Sequence, residues 1–203
     1  MTRYGLRSEH VTQPTERAKT VSVPLTGGQN RIRQLVLYIA EKCETARYFG
    51  AIKLNKIIWK ADFDSFAERG VPVTGREYRR QKYGPVLREM KPLHDDMLKD
   101  GLIRIEPRDF GGDIVEHRTI ALAPPDLSMF SEPDLSYVER SIIHYWEKTG
   151  MEASDESHGV AWLTRANGDT MPYESALLSD RNLLPQQMER LRAIAMRRQL
   201  TTQ

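Results

Sequence analysis

The chain has 203 residues, 39% of them hydrophobic and 29% charged, with a formal net charge of +2. This is enough for one sizeable core, and too little net charge to mark a nucleic-acid binder by itself. The longest apolar run, "LVLYIA", falls far short of the roughly 20 residues a bilayer requires. The N-terminus carries no apolar signal-peptide core, and the single cysteine, Cys43, can form no internal disulfide. A cytoplasmic location without membrane association is expected. Charge is unevenly placed, with six basic and two acidic residues from Arg76 to Lys91, and eight acidic and two basic from Asp126 to Val160. Five arginines face one glutamate from Arg181 to Leu200. Such blocks favour charged partners or contacts between parts of the protein.

In chain order, residues 1–30 carry Thr, Ser, Gln and Pro without periodicity and read as a flexible extension. From Arg31 onward, Ile32, Leu35, Val36, Ile39 and Cys43 follow the spacing of one buried helix face. That spacing makes Cys43 a core residue rather than a nucleophile. In "IKLNKIIWKADFDSFAERG", Leu54, Ile57, Ile58, Ala61 and Ser65 share one side of a second helix, which Gly70 stops. "EYRRQKYG" alternates as a short extended segment. Pro85 fits the first turn of a third helix, with Val86, Met90, Leu93 and Met97 inward and Gly101 at its end. "LIRIE" and "DIVEHRTIAL" flank "PRDFGG" as a two-stranded hairpin. A helix over 134–148 follows, with Leu135, Val138, Ile142, Tyr145 and Trp146 inward. A shorter helical pattern runs through "ASDESHGVAWLTRAN", and Pro185 opens a basic C-terminal helix. The fold class is α+β, mainly helical: a single domain of about six helices with one small antiparallel β-hairpin, a winged-helix-like element.

No dinucleotide, phosphate-loop, nucleophile-elbow or zincin motif is present. His10, His94, His117, His144 and His158 are scattered, and with one cysteine they offer no metal site; no cofactor is expected either. Asp155 and His158, neighbours on one helix face, are the best acid–base pair. Trp162 one turn further makes His158 half of a packed pair more naturally than a reactive group. A winged helix supplies a DNA-binding reading, with the helix from Pro85 in the groove and "DFGGD" as the wing. Arg79, Arg80, Lys82, Arg88 and Lys91 would then contact phosphates. Asp95, Asp96 and Asp100 on that helix, and Asp109 and Asp113 around the turn, count against it.

The segments "IKLNKIIWKADFDSF", "TGREYRRQKYGPVLREM", "SDESHGVAWL" and "MPYESALLSD", in this order, resemble the Panacea domain of the SocA-like antitoxins over roughly residues 32–180. The matching positions are Lys53, Leu54 and Lys56; Tyr83, Gly84, Pro85 and Val86; and Ser157, His158 and Trp162. The resemblance implies a bacterial or phage antitoxin, without enzymatic activity, that binds and neutralises a toxin encoded beside it. It does not identify that toxin. Residues 1–30 then form the extension, 31–180 the Panacea-like domain and 181–203 the basic helix. Gly84 and Pro85 read as an architectural strand-to-helix corner, with the Tyr83 ring buried and its hydroxyl at a polar edge. Arg79, Arg80, Lys82, Tyr83 and Arg88 are the partner-binding set. An acidic surface of the toxin is the first partner for it and operator DNA the second, in a hetero-oligomer or a homodimer.

Overall fold

The computed structural model describes residues 19–112 and 115–178, together with positions 189 and 193. Helix α1 (Gly28–Lys42) buries Ile32, Leu35, Val36 and Ile39, and Cys43 follows in the same core. Helix α2 (Ala51–Arg69) turns Leu54, Ile57, Ile58 and Ala61 inward. Each buried Leu, Ile or Val among them contributes about 1.5–3 kcal/mol, which is why both helices form where their 3.6-residue period places them. Burial also pushes the Cys43 thiol up to about 12, as suits a packing residue.

Two strands (β1, Tyr78–Gln81, and β2, Gly84–Leu87) form a hairpin, followed by α3 (Met90–Lys99). The next hairpin, β3 (Ile103–Asp109) with β4 (Val115–Ala121), is the expected one. Then come α4 (Glu132–Tyr145), α5 (Gly150–Glu156), α6 (Val160–Leu163), β5 (Thr170–Met171) and a 3-10 helix, Tyr173–Leu177. The class is mainly helical α+β, as expected, and no helix among the described residues is long and apolar enough to cross a membrane.

Buried polar groups tie these elements together. Helix α4 opens on a capping box between Ser131 and Asp134, with Pro133 in its first turn. The Asp134 carboxylate also receives Arg31 at 2.8 Å and Arg69 at 2.6 Å, linking α1, α2 and α4. Arg118 of β4, fully buried, donates to the carbonyls of Glu44 at 2.8 Å and Ala46 at 2.5 Å, fixing the chain that leaves α1. Asp62 of α2 accepts from Thr74 N–H at 2.5 Å, from the Thr74 hydroxyl, from Tyr78 at 2.7 Å and from Tyr173 at 3.3 Å.

Several expectations are corrected. Pro85 does not begin a helix; it lies in β2, opposite Arg80, and α3 starts only at Met90. The Arg80 N–H and carbonyl point the other way, to Asp169 O at 2.9 Å and from Gly168 N–H at 2.8 Å. Position 85 therefore needs no donor, and β2 is an edge strand where proline is tolerated. The β1–β2 hairpin, joined by β5, is a second sheet beside the single hairpin expected. The helix expected through "ASDESHGVAWLTRAN" breaks into α5 and α6 at Ser157–Gly159. Residues 19–27 are not a loose extension: Val23 N–H donates to Gly75 O at 2.8 Å, and Tyr173 N–H to Thr20 O at 2.8 Å. Gly75 is left-handed (φ 69°), and a Cβ there would overlap the Val23 carbonyl, so this strap requires glycine beneath it. Residues 1–18, Asp113 and Ile114 lie outside the described residues. So does the C-terminal helix expected from Pro185, apart from positions 189 and 193.

Candidate functional site

The site grows from two lysines of α2. Lys53 and Lys56 are each only 1% exposed. Lys53 donates to the carbonyls of Tyr48 at 2.6 Å and Trp146 at 2.7 Å. Lys56 donates to the Pro85 carbonyl at 2.7 Å. Neither meets a carboxylate in an ion pair among the described residues, and the hydrogen bonds of each ammonium run to neutral carbonyls. Burial lowers the Lys53 amine and brings Lys56 down to about 7. The pair acts as two internal ties: Lys53 holds the loop before α2 to the end of α4, and Lys56 holds β2 to α2.

The remaining motif residues gather around Lys56. Gly84 is left-handed (φ 91°), and a Cβ there would overlap Ser157 Oγ and come within 2.8 Å of Lys56 Nζ. Only glycine lets the hairpin settle so closely on the α5–α6 break. At that break Ser157 Oγ donates to Ser154 O at 2.6 Å. Trp162 Nε1 donates to Gln81 O at 2.8 Å. The His158 ring stacks on Trp162 with centroids 3.9 Å apart and planes 19° from parallel. The Arg80 guanidinium lies 3.9 Å from the Trp162 ring centroid. His158 is held below its usual range, chiefly by burial and further by the charges of Lys56 and Arg80, while Asp155 opposes them. The imidazole is therefore a neutral packing plate at pH 7. Asp155 and His158 do not share a continuous helix face; their hydrogen bond runs along the backbone, from His158 N–H to Asp155 O at 3.1 Å.

The five partner-binding candidates separate. Lys82 and Tyr83 form the exposed tip of the β1–β2 hairpin, with Tyr83 43% exposed rather than buried as expected, and Lys82 Nζ 5.2 Å from its ring centroid. Arg80 is 5% exposed and braces the tip from behind. Arg79 and Arg88 both turn to Glu77, at 3.5 and 2.7 Å. Trp162 covers Arg80, while Arg79 and Arg88, with side chains 38% and 55% exposed, share the Glu77 carboxylate, which offsets their charge toward a phosphate. Below the tip, Ala51, Ile52, Asn55, Lys56 and Val86 line a cleft of 360 Å³.

Sequence reasoning missed Asp62 and Arg118. Asp62 had a visible signal, a carboxylate one turn from Ile58 on the apolar face of α2. Arg118 had none, because beyond the neighbouring Glu116 its partners are carbonyls more than 70 positions away.

The family model "Antitoxin SocA-like, Panacea domain" matches residues 54–163, from the first turn of α2 to the end of α6. Comparison with curated proteins gives no match, and comparison with solved structures gives none. The match spans more than half of the chain and takes in Lys56, Gly84, Pro85, Ser157, His158 and Trp162, the residues that the fold packs into one cluster. The chain belongs to the SocA-like antitoxin family with a Panacea domain.

Proposed function

We propose that this protein neutralises a toxin, encoded by a neighbouring gene, through direct protein–protein binding in the cytoplasm, and that it does so without catalysing a reaction. The observation that carries this reading is the use made of the family's motif residues. Lys56, Gly84, Ser157 and Trp162 lock the β1–β2 hairpin onto the helices, and Lys82 and Tyr83 are held outward at its tip. A rigid hairpin presenting an aromatic ring beside a cation is suited to recognition, because little side-chain and loop freedom is lost on binding. In this reading Lys82 and Tyr83 touch the toxin, while Arg80, Arg79 and Arg88 hold the geometry behind them.

The test is a titration of the purified chain with the product of the neighbouring reading frame. Binding is expected in the wild type, and Lys82→Glu with Tyr83→Ala should weaken it at least tenfold while leaving the unfolding transition in place. Unchanged affinity in that variant would remove the hairpin tip from the interface.

A further inference from the structure

Ala51 and Ile52 line the cleft below Tyr83 and, on their other side, a larger groove of 680 Å³. This groove lies between the start of α2, the β3–β4 hairpin and the start of α5. Its walls are Tyr48, Ile52, Phe110, Val115 and Met151, contributed by three elements far apart in sequence. Phe110, Val115 and Met151 are 43%, 48% and 52% exposed, and the rings of Tyr48 and Phe110 meet at 5.3 Å. Scattered surface apolar residues need no explanation, but apolar side chains converging on one concave surface mark an interaction site.

The groove is preformed. Its floor, residues 47–52, is held from below by Lys53 on Tyr48 O, by Arg118 on Ala46 O, and by Phe49 N–H on Glu116 Oε2 at 2.6 Å. Glu116, the one carboxylate lining it among the described residues, is thus committed internally and also pairs with Arg118 at 3.2 Å. The rim cations are not committed. Arg47 stacks 5.0 Å from the Tyr48 ring centroid and Lys82 sits at the adjoining tip, neither in an ion pair with a carboxylate among the described residues.

We propose that this groove is the main toxin-docking surface, and that it takes an apolar segment of the toxin flanked by a carboxylate. The inference rests on the antitoxin reading and assigns its surface. A second copy of the chain fits less well, because an isologous contact would set the same positive rim against itself. A toxin segment with an acidic flank is complementary in both shape and charge.

The experiment compares wild type, Phe110→Asp with Met151→Asp, Arg47→Glu and Arg47→Lys in titrations with the purified product of the neighbouring reading frame. Light scattering gives the oligomeric state of each protein alone. The substituted side chains are exposed, and thermal unfolding checks that each variant remains folded. The apolar double variant is expected to lose at least a hundredfold in affinity. Arg47→Glu should lose about tenfold, with a shallower salt dependence than wild type, and Arg47→Lys should retain most of the binding. If wild type binds and the double variant binds equally well, the groove is overturned and the antitoxin reading survives. If wild type is a dimer that the double variant converts to a monomer, the occupant is a second copy and the proposal is overturned. If wild type does not bind at all, the antitoxin reading fails and this inference fails with it.

Discussion

Lys56 and Asp62 lie nearly two turns apart on α2, and among the described residues neither forms an ion pair. Their linkage to folding has opposite sign. In the unfolded chain Lys56 titrates near 10.5, whereas burial brings it to about 7 in the fold. Below pH 7 both states carry the proton and the desolvation penalty is felt in full. From pH 7 upward the fold releases a proton that the unfolded chain keeps, so stability gains up to about 2–3 kcal/mol by pH 9. The stability difference between wild type and Lys56→Met, measured by urea unfolding at pH 6.5 and 9, should move in favour of wild type at the higher pH; a constant difference would contradict the assignment. Burial raises the Asp62 carboxyl from 3.8 to about 6, against the opposing hydrogen bonds of Thr74, Tyr78 and Tyr173. Between pH 4 and 6 the fold holds a proton that the unfolded chain has lost. Relative to Asp62→Asn, wild type should therefore lose up to about 3 kcal/mol as pH rises through that window. The same unfolding series from pH 4 to 7 measures it, and a rising difference would be the wrong sign.

At the scale of elements, the β1–β2 hairpin depends on two contacts with the α5–α6 break. Gly84→Ala places a Cβ on Ser157 Oγ in a left-handed backbone, and about 2–4 kcal/mol of stability should be lost. Adding Ser157→Ala removes the overlap with Oγ but neither the close approach to Lys56 nor the backbone strain. The double variant should be less destabilised than the two single effects combined, and strict additivity would show that the two residues do not meet. Trp162→Ala removes the stack with His158 and Arg80 and the bond to Gln81 O, a loss of about 2–4 kcal/mol. Hydrogen exchange should then accelerate in β1 and β2 while the amides of α1 stay protected; uniform acceleration would mean that the hairpin is not a separate unit. These elements also show what was legible. The inner faces of α1 and α2, with Cys43, follow their own period; the His158–Trp162 contact was expected from helical spacing, and it forms although the helix breaks at His158. Pro85 was misread because what makes it acceptable in a strand is the Arg80 backbone turning to Gly168 and Asp169, almost 90 residues away. Nothing local carries that information. The β3–β4 hairpin was legible, yet the groove beside it was not, because Tyr48, Phe110 and Met151 meet only in the fold.

Across the whole molecule, much of the charge asymmetry in the sequence is answered inside the fold. The basic block from Arg76 to Lys91 contains its own counterions, with Arg76 on Glu89 at 3.1 Å and Arg88 on Glu77. The acidic block from Asp126 to Val160 is met by Arg31 and Arg69 on Asp134, and by Lys148 on Glu156 at 2.5 Å. What stays available is a continuous face: the Lys82–Tyr83 tip, the first turn of α2 and the apolar groove with Arg47 on its rim. A body held by buried cations, with this face left uncommitted, suits a protein whose work is to bind another.

The central claim is that this binding neutralises a toxin. It is tested most directly by inducing the neighbouring reading frame in growing cells, alone and together with this chain, and counting viable cells. Loss of viability with the neighbour alone, restored when this chain is co-expressed and co-purifies with it, is the predicted result. A harmless neighbour, or a lethal one that this chain neither binds nor relieves, would contradict it.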